Sequence, residues 1–84
     1  MNDYYFTFRS ITTAQTGSAA LHDASLPHVL LRTPKAMARQ GCGYSLRVAQ
    51  ELYARALELL RRERLPFQRI YRRRGAEPWQ EVRP

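Results

Sequence analysis

Apolar and polar residues follow one another in a pattern that predicts two similar halves, each made of a strand, a helix and a second strand. Residues 4–8 are aromatic and β-branched and predict the first strand. Residues 28–32 predict the second strand, and residues 44–48 alternate apolar with polar side chains, as in a half-buried third strand. Residues 67–71 predict the fourth.

The two predicted helices differ in their apolar faces. The first begins at a cap, Ser10 or Thr12, presents a narrow face of small residues, and ends at Leu26, since the proline that follows disfavours the α conformation there. The second helix, over residues 50–64, has a broad apolar stripe with favourable i,i+4 charge pairs beside it. The stripe consists of Leu52, Tyr53, Ala56, Leu59 and Leu60.

A weak internal repeat relates the two halves. Leu26 and Pro27 end one helix and open a strand, and Leu65 and Pro66 do the same 39 residues later. Two βαβ units in tandem predict an α+β fold, a ferredoxin-like βαββαβ sandwich with a four-stranded antiparallel sheet and two helices on one face. We expect residues 1–74 to form this single domain and residues 75–84 to be a mobile C-terminal tail unless Trp79 docks on it.

The charge is strongly positive. The chain has 14 basic and 7 acidic residues, a formal net charge of +7, and Lys35 is its only lysine. Such a surface attracts phosphates, nucleic acid or an acidic protein, although a solvated surface without a partner has the same composition. No apolar run approaches the roughly 20 residues of a membrane span, and no signal sequence is recognisable, so we expect a cytoplasmic protein that binds no membrane.

The last predicted strand raises an alternative function. Phe67, Arg69 and Tyr71 share one parity and would give one sheet face an aromatic and basic character. Such a face suits stacking against single-stranded RNA, as in a basic RNA-binding module. It also suits burial in a homodimer, in a partner-dependent assembly or under the C-terminal tail, and these alternatives stay open.

Several classes of site have no support in the sequence. His22 and His28 lie on separate elements, and one cysteine with them does not match a zinc-site spacing. The chain has neither a glycine-rich phosphate loop nor paired carboxylates near the predicted loop after the second strand. We therefore expect no cofactor and no metal.

Cys42 is the residue best suited to covalent chemistry. It lies in the predicted loop between Gly41 and Gly43, which leave the sulfur unscreened and allow the backbone to present it outward. Lys35, Arg39 and Arg47 are all within seven residues of it, and cations favour the nucleophilic thiolate. The alternative is that Cys42 is a small buried apolar residue.

The order of these segments resembles that of the Se/S carrier protein-like family. The resemblance covers residues 4–72 and includes the strand at Tyr5, the Leu26-Pro27 turn, Thr33-Pro34-Lys35, Cys42-Gly43, Arg47 and the segment from Leu65 to Tyr71. It implies that Cys42 takes sulfur or selenium from a donor such as a cysteine desulfurase, holds it as a persulfide or selenosulfide, and passes it to an acceptor protein. The resemblance points to a carrier rather than a true enzyme.

The remaining site residues have supporting roles in this hypothesis. Arg39 and Arg47 would stabilise the thiolate, while Gly41 and Gly43 would set the conformation and access of the loop. A single cysteine suits a carrier, because a second thiol beside it would discharge the persulfide as a disulfide.

Overall fold

A computed structural model describes residues 1–35 and 43–83 of the chain. These residues form an α+β fold, as predicted. The strands are β1 (Asn2–Phe8), β2 (Val29–Arg32), β3 (Tyr44–Ala49), β4 (Ile70–Arg74) and β5 (Gln80–Val82). The helices are α1 (Ile11–Asp23) and α2 (Tyr53–Arg62), and a 3₁₀ turn (Gln50–Leu52) precedes α2.

The sheet has five strands in the order β2-β3-β1-β4-β5, and every neighbouring pair is antiparallel. The predicted number of four strands is therefore wrong. The extra strand, β5, comes from the segment predicted as a tail, and it pairs with β4 through Ile70–Val82 and Arg72–Gln80. The first six elements follow the predicted order, strand-helix-strand-strand-helix-strand.

Both helices pack on one face of the sheet and enclose the main core. Phe6 and Phe8 of β1 and Leu46 of β3 are fully buried against them. The predicted stripe of α2 supplies Ala56, Leu59 and Leu60 to this core. The alternation predicted for β3 is confirmed, because Leu46 and Val48 face the helices.

Gly17 permits the close approach of α1 to the sheet. A Cβ atom at this position would lie 3.0 Å from Leu46 Cδ1 and 3.0 Å from Phe8 Cζ. Of the two caps proposed for α1, Ser10 is the one used: its Oγ accepts a hydrogen bond from the Thr13 backbone N–H at 3.2 Å. The helix therefore begins directly after β1.

A β-bulge separates the faces that Phe67 and Tyr71 occupy. Thr7 donates its N–H to the Arg69 carbonyl at 2.9 Å and accepts the N–H of Gln68 at 2.7 Å, so two residues oppose one. The extra residue reverses the side-chain alternation. Phe67 consequently packs with Phe6 on the helix side, whereas Tyr71 lies on the other face, and the expectation that they share a face is wrong.

Trp79 fixes the last hairpin over the face that the helices leave open. Its ring meets Tyr5 edge-on with centroids 4.6 Å apart, and the Arg73 guanidinium lies 4.5 Å from its centroid. Arg73 also donates to the Glu77 carbonyl, and Gly75 adopts a left-handed φ of 57° at the turn. These contacts hold β5 beside β4.

Candidate functional site

The predicted loop lies only partly within the described residues. Residues 36–42, which include Arg39, Gly41 and Cys42, lie outside them, so the roles of these three residues stay predictions. The structure describes the two chain segments that flank this interval, up to Lys35 and from Gly43 onward. These segments and their neighbours make up the candidate site.

Gly43 is held by the backbone of two neighbouring segments. Its N–H donates to the Phe8 carbonyl at 3.2 Å, and its carbonyl accepts the N–H of Thr33 at 2.9 Å. These bonds continue the pairing of Phe8 and Arg32 with Tyr44 by one residue. Gly43 therefore lies at the end of the sheet, next to the start of α1, and a Cβ there would meet the Arg9 carbonyl oxygen at 3.4 Å.

A buried pair of hydroxyl groups lies beside this anchor on the open face. The Oγ1 of Thr33 and the Oγ of Ser45 are 2.7 Å apart. Thr33 is 7% exposed and Ser45 is fully buried, so each hydroxyl depends on the other for its hydrogen bond. Sequence reasoning missed this pair, since it required the register of β2 against β3.

Three cations flank the two ends of the interval. Lys35 is exposed at the end of the first segment, and Arg9 follows β1, with its backbone carbonyl oxygen beside Gly43 and its guanidinium against Gln68. With its amide oxygen turned toward that guanidinium, Gln68 accepts hydrogen bonds from Arg9 Nε at 3.1 Å and Nη2 at 3.0 Å. Arg32 lies over the Tyr44 ring, 5.6 Å from its centroid. Arg9 and Arg32 were missed because only strand pairing places them here.

Arg47 lies in the middle of β3 rather than at the end of the sheet. It is paired across the sheet with Tyr5 and with Val29, and it is half-buried on the open face. Arg47 lies four residues along the extended chain from Gly43, a distance of about 13 Å. Arg47 makes no hydrogen bond or ion pair with another described residue. Its predicted role at Cys42 is untested.

The aromatic residues of the open face are covered within the chain. Tyr5 and Tyr71 are each 7% exposed and pack with Leu31 and Trp79. Tyr71 is therefore too buried to offer its ring to a base. The exposed aromatic face that suggested both RNA stacking and a homodimer is therefore not present in the structure, although neither partner is tested.

His28 makes two local hydrogen bonds. His28 Nδ1 lies 2.9 Å from the Leu26 carbonyl and Nε2 lies 2.6 Å from Ser18 Oγ. Since a carbonyl only accepts, Nδ1 donates to the Leu26 carbonyl, and in the neutral ring Nε2 accepts from the Ser18 hydroxyl. No group of three potential metal ligands occurs within residues 1–35 and 43–83. Neither described helix is long and apolar enough to cross a membrane.

Comparison with known proteins gives one match. The model of the family described as "Putative Se/S carrier protein-like" matches residues 3–72, which include the interval around Cys42 and end before the Trp79 hairpin. Searches of curated proteins and of solved structures find no significant match.

Proposed function

Because the chain belongs to the Putative Se/S carrier protein-like family, we propose that it holds sulfur or selenium on the thiol of Cys42 and transfers it to an acceptor. The family match carries this proposal, since the matched residues include the chain's only cysteine. The anchoring of Thr33 and Gly43 supports it, because both flanking segments are tied into the sheet.

The proposed loading step is a transfer of sulfane sulfur. The Cys42 thiolate attacks the terminal sulfur of a donor persulfide, the donor's S–S bond breaks, and the donor leaves as a thiolate. Cys42 then carries a persulfide, and the proton on the terminal sulfur moves with it. The same exchange in reverse, with an acceptor thiolate as the attacking group, restores the Cys42 thiolate. No external oxidant or reductant is needed.

The cations around the flanking segments suit the anionic states of this cycle. Lys35 ends the first flanking segment, and the backbone of Arg9 lies beside Gly43 of the second; a positive potential near the interval favours a thiolate or perthiolate over its protonated form. This exchange requires a donor that carries a persulfide, such as a cysteine desulfurase, and an acceptor with its own nucleophilic thiol.

Intact-mass measurement after incubation with a cysteine desulfurase and cysteine tests the loading step. The wild-type chain should gain one sulfur atom, and a thiol reductant should remove it. Cys42→Ser should gain none. The matched control is the double variant Cys42→Ser/Ala19→Cys, which moves the only thiol to an exposed position on α1.

This control separates a carrier site from an ordinary surface thiol. The proposal expects the relocated thiol to load at least about tenfold more slowly than Cys42, since it lacks the cations of the loop anchors. Equal loading of the two thiols, or no loading of either, would contradict the proposal. Circular dichroism of each variant verifies that the fold is unchanged.

A further inference from the structure

The topology gathers exposed cations at one end of the molecule, which we name the loop end. β1, β2, β5 and α2 finish there, and β3 and β4 begin there. Arg62 and Arg69 of this end are ion-paired with Glu58 and Glu81, respectively. Six further exposed cations of the loop end make no ion pair with a described acidic residue: Arg9, Arg32, Lys35, Arg61, Arg64 and Arg83.

Four of the seven acidic residues lie away from the loop end. Asp3, Asp23, Glu51 and Glu77 all lie toward the other end of the sheet, where β1 and β5 begin and α1 finishes. At the loop end, Glu58 and Glu81 belong to the two ion pairs of the described part, and Glu63 belongs to neither. Among the described residues, most of the net positive charge is therefore at the loop end.

The loop end also contains a groove whose lining includes two arginines. It has a volume of about 590 Å³ and lies along the start of β4 and the end of β5. Its charged and polar lining consists of Gln68, Arg69, Arg83 and Glu81, the acidic partner of Arg69, and its apolar lining of Phe67, Ile70 and Val82. Cations beside a groove can contact successive phosphates of a polyanion from several directions.

The composition of this surface favours nucleic acid over an acidic protein. Stable protein interfaces have an apolar, charge-depleted centre, whereas nucleic-acid interfaces are polar and strongly positive. Of the large hydrophobic residues exposed in the described part, only Ile11 lies at the loop end, at 38% exposure. We propose that the loop end is a docking surface for the phosphate backbone of structured RNA.

Two features select structured RNA within the nucleic acids. Helix α1 begins and helix α2 finishes at the loop end, so this surface presents helix termini rather than the side of a helix that would lie in a DNA major groove. A-form RNA is recognised through its shape, its phosphates and its 2′-hydroxyl groups. Stacking on single-stranded bases is not part of this proposal, because Tyr71 is buried. The proposal does not rest on Cys42.

Binding to an RNA hairpin, measured by fluorescence anisotropy across a salt series, tests this surface. The probes are that hairpin and a DNA hairpin of the same sequence, with polyglutamate as competitor. Arg64→Gln/Arg83→Gln removes two loop-end charges. The matched control, Arg55→Gln/Arg74→Gln, removes two exposed charges without described ion pairs, one early in α2 and one at the far end of β4.

The loop-end variant should weaken RNA binding several-fold and reduce the salt slope by about 1 to 2, since each lost phosphate contact lowers it by about 0.7–0.9. The control variant should stay within about twofold of wild type, and Cys42→Ser should bind normally even if sulfur loading fails. Equal losses in both double variants, equal affinity for the DNA hairpin, or displacement by polyglutamate at matched charge would overturn the proposal.

Discussion

The side-chain oxygens of Thr33 and Ser45 lie 2.7 Å apart in a buried layer next to the interval that contains Cys42. Thr33 follows β2 and Ser45 is the second residue of β3, so this hydrogen bond joins the two segments that enter and leave the interval. The backbone bond from Thr33 to the Gly43 carbonyl reinforces the same junction. The spacing of the loop's two ends is thus set by the sheet.

A double-mutant cycle should show that this hydroxyl pair is coupled. Ser45→Ala should lower the free energy of unfolding by about 1–3 kcal/mol, because it leaves the buried Thr33 hydroxyl unpaired. Thr33→Val/Ser45→Ala should cost less than the sum of the two single variants. Urea unfolding measures all four proteins, and additive effects would contradict the account.

Leu60 should be a principal core residue of α2. It is fully buried, whereas Leu57 on the same helix is half-buried. Leu60→Ala should therefore cost about 2–5 kcal/mol of unfolding free energy, and Leu57→Ala clearly less. Thermal or urea unfolding tests the difference. A Leu60→Ala cost below about half a kcal/mol would mean that this helix face is not packed as described.

Replacing Tyr71 with phenylalanine should stabilise the protein. The Tyr71 hydroxyl is the one buried side-chain polar atom without a hydrogen bond in the described part of the chain. Removing an unpaired buried hydroxyl should raise the unfolding free energy by about 1 kcal/mol. Tyr5→Phe is the matched control, since Tyr5 has the same 7% exposure without a buried unpaired hydroxyl. Destabilisation by Tyr71→Phe would reveal a hydrogen bond that the structure lacks.

Arg9 and Arg47 should differ in their effect on the reactivity of Cys42. The backbone of Arg9 lies beside Gly43, whereas Arg47 lies four residues along the chain from it. If charge at the loop anchors favours the thiolate, Arg9→Gln should slow iodoacetamide alkylation at neutral pH more than Arg47→Gln does. A larger effect of Arg47→Gln would favour the role predicted for Arg47 from the sequence and would require the loop to reach the open face.

Much of the helical side of the fold could be predicted from residue pattern. The stripe of α2 and the alternation in β3 are strong local signals, and both describe the residues that pack together. Ser10 and Thr12 looked equivalent as caps because each is followed by a suitable sequence. In the structure β1 ends at Phe8 and α1 begins at Ile11, which makes Ser10 the cap.

The remaining features depend on contacts between distant residues. The bulge at Gln68 and Arg69 arises from pairing with Thr7, so the parity of residues 67–71 alone misplaced Phe67. β5 has little strand propensity of its own and is held by Trp79 against Tyr5. In the candidate site, local sequence indicated Cys42 and Gly43, whereas Arg9 and the Thr33–Ser45 pair follow only from strand register.

The most direct test of the carrier account is the discharge of the loaded protein. Chain carrying one labelled sulfur on Cys42 is freed of donor and mixed with an acceptor thiol protein, and the label on each is followed by mass spectrometry. The account predicts that label leaves Cys42 and appears on the acceptor in equal amount, with the Cys42 thiol regenerated. Label that stays on Cys42, or that escapes only as free sulfide, would contradict it.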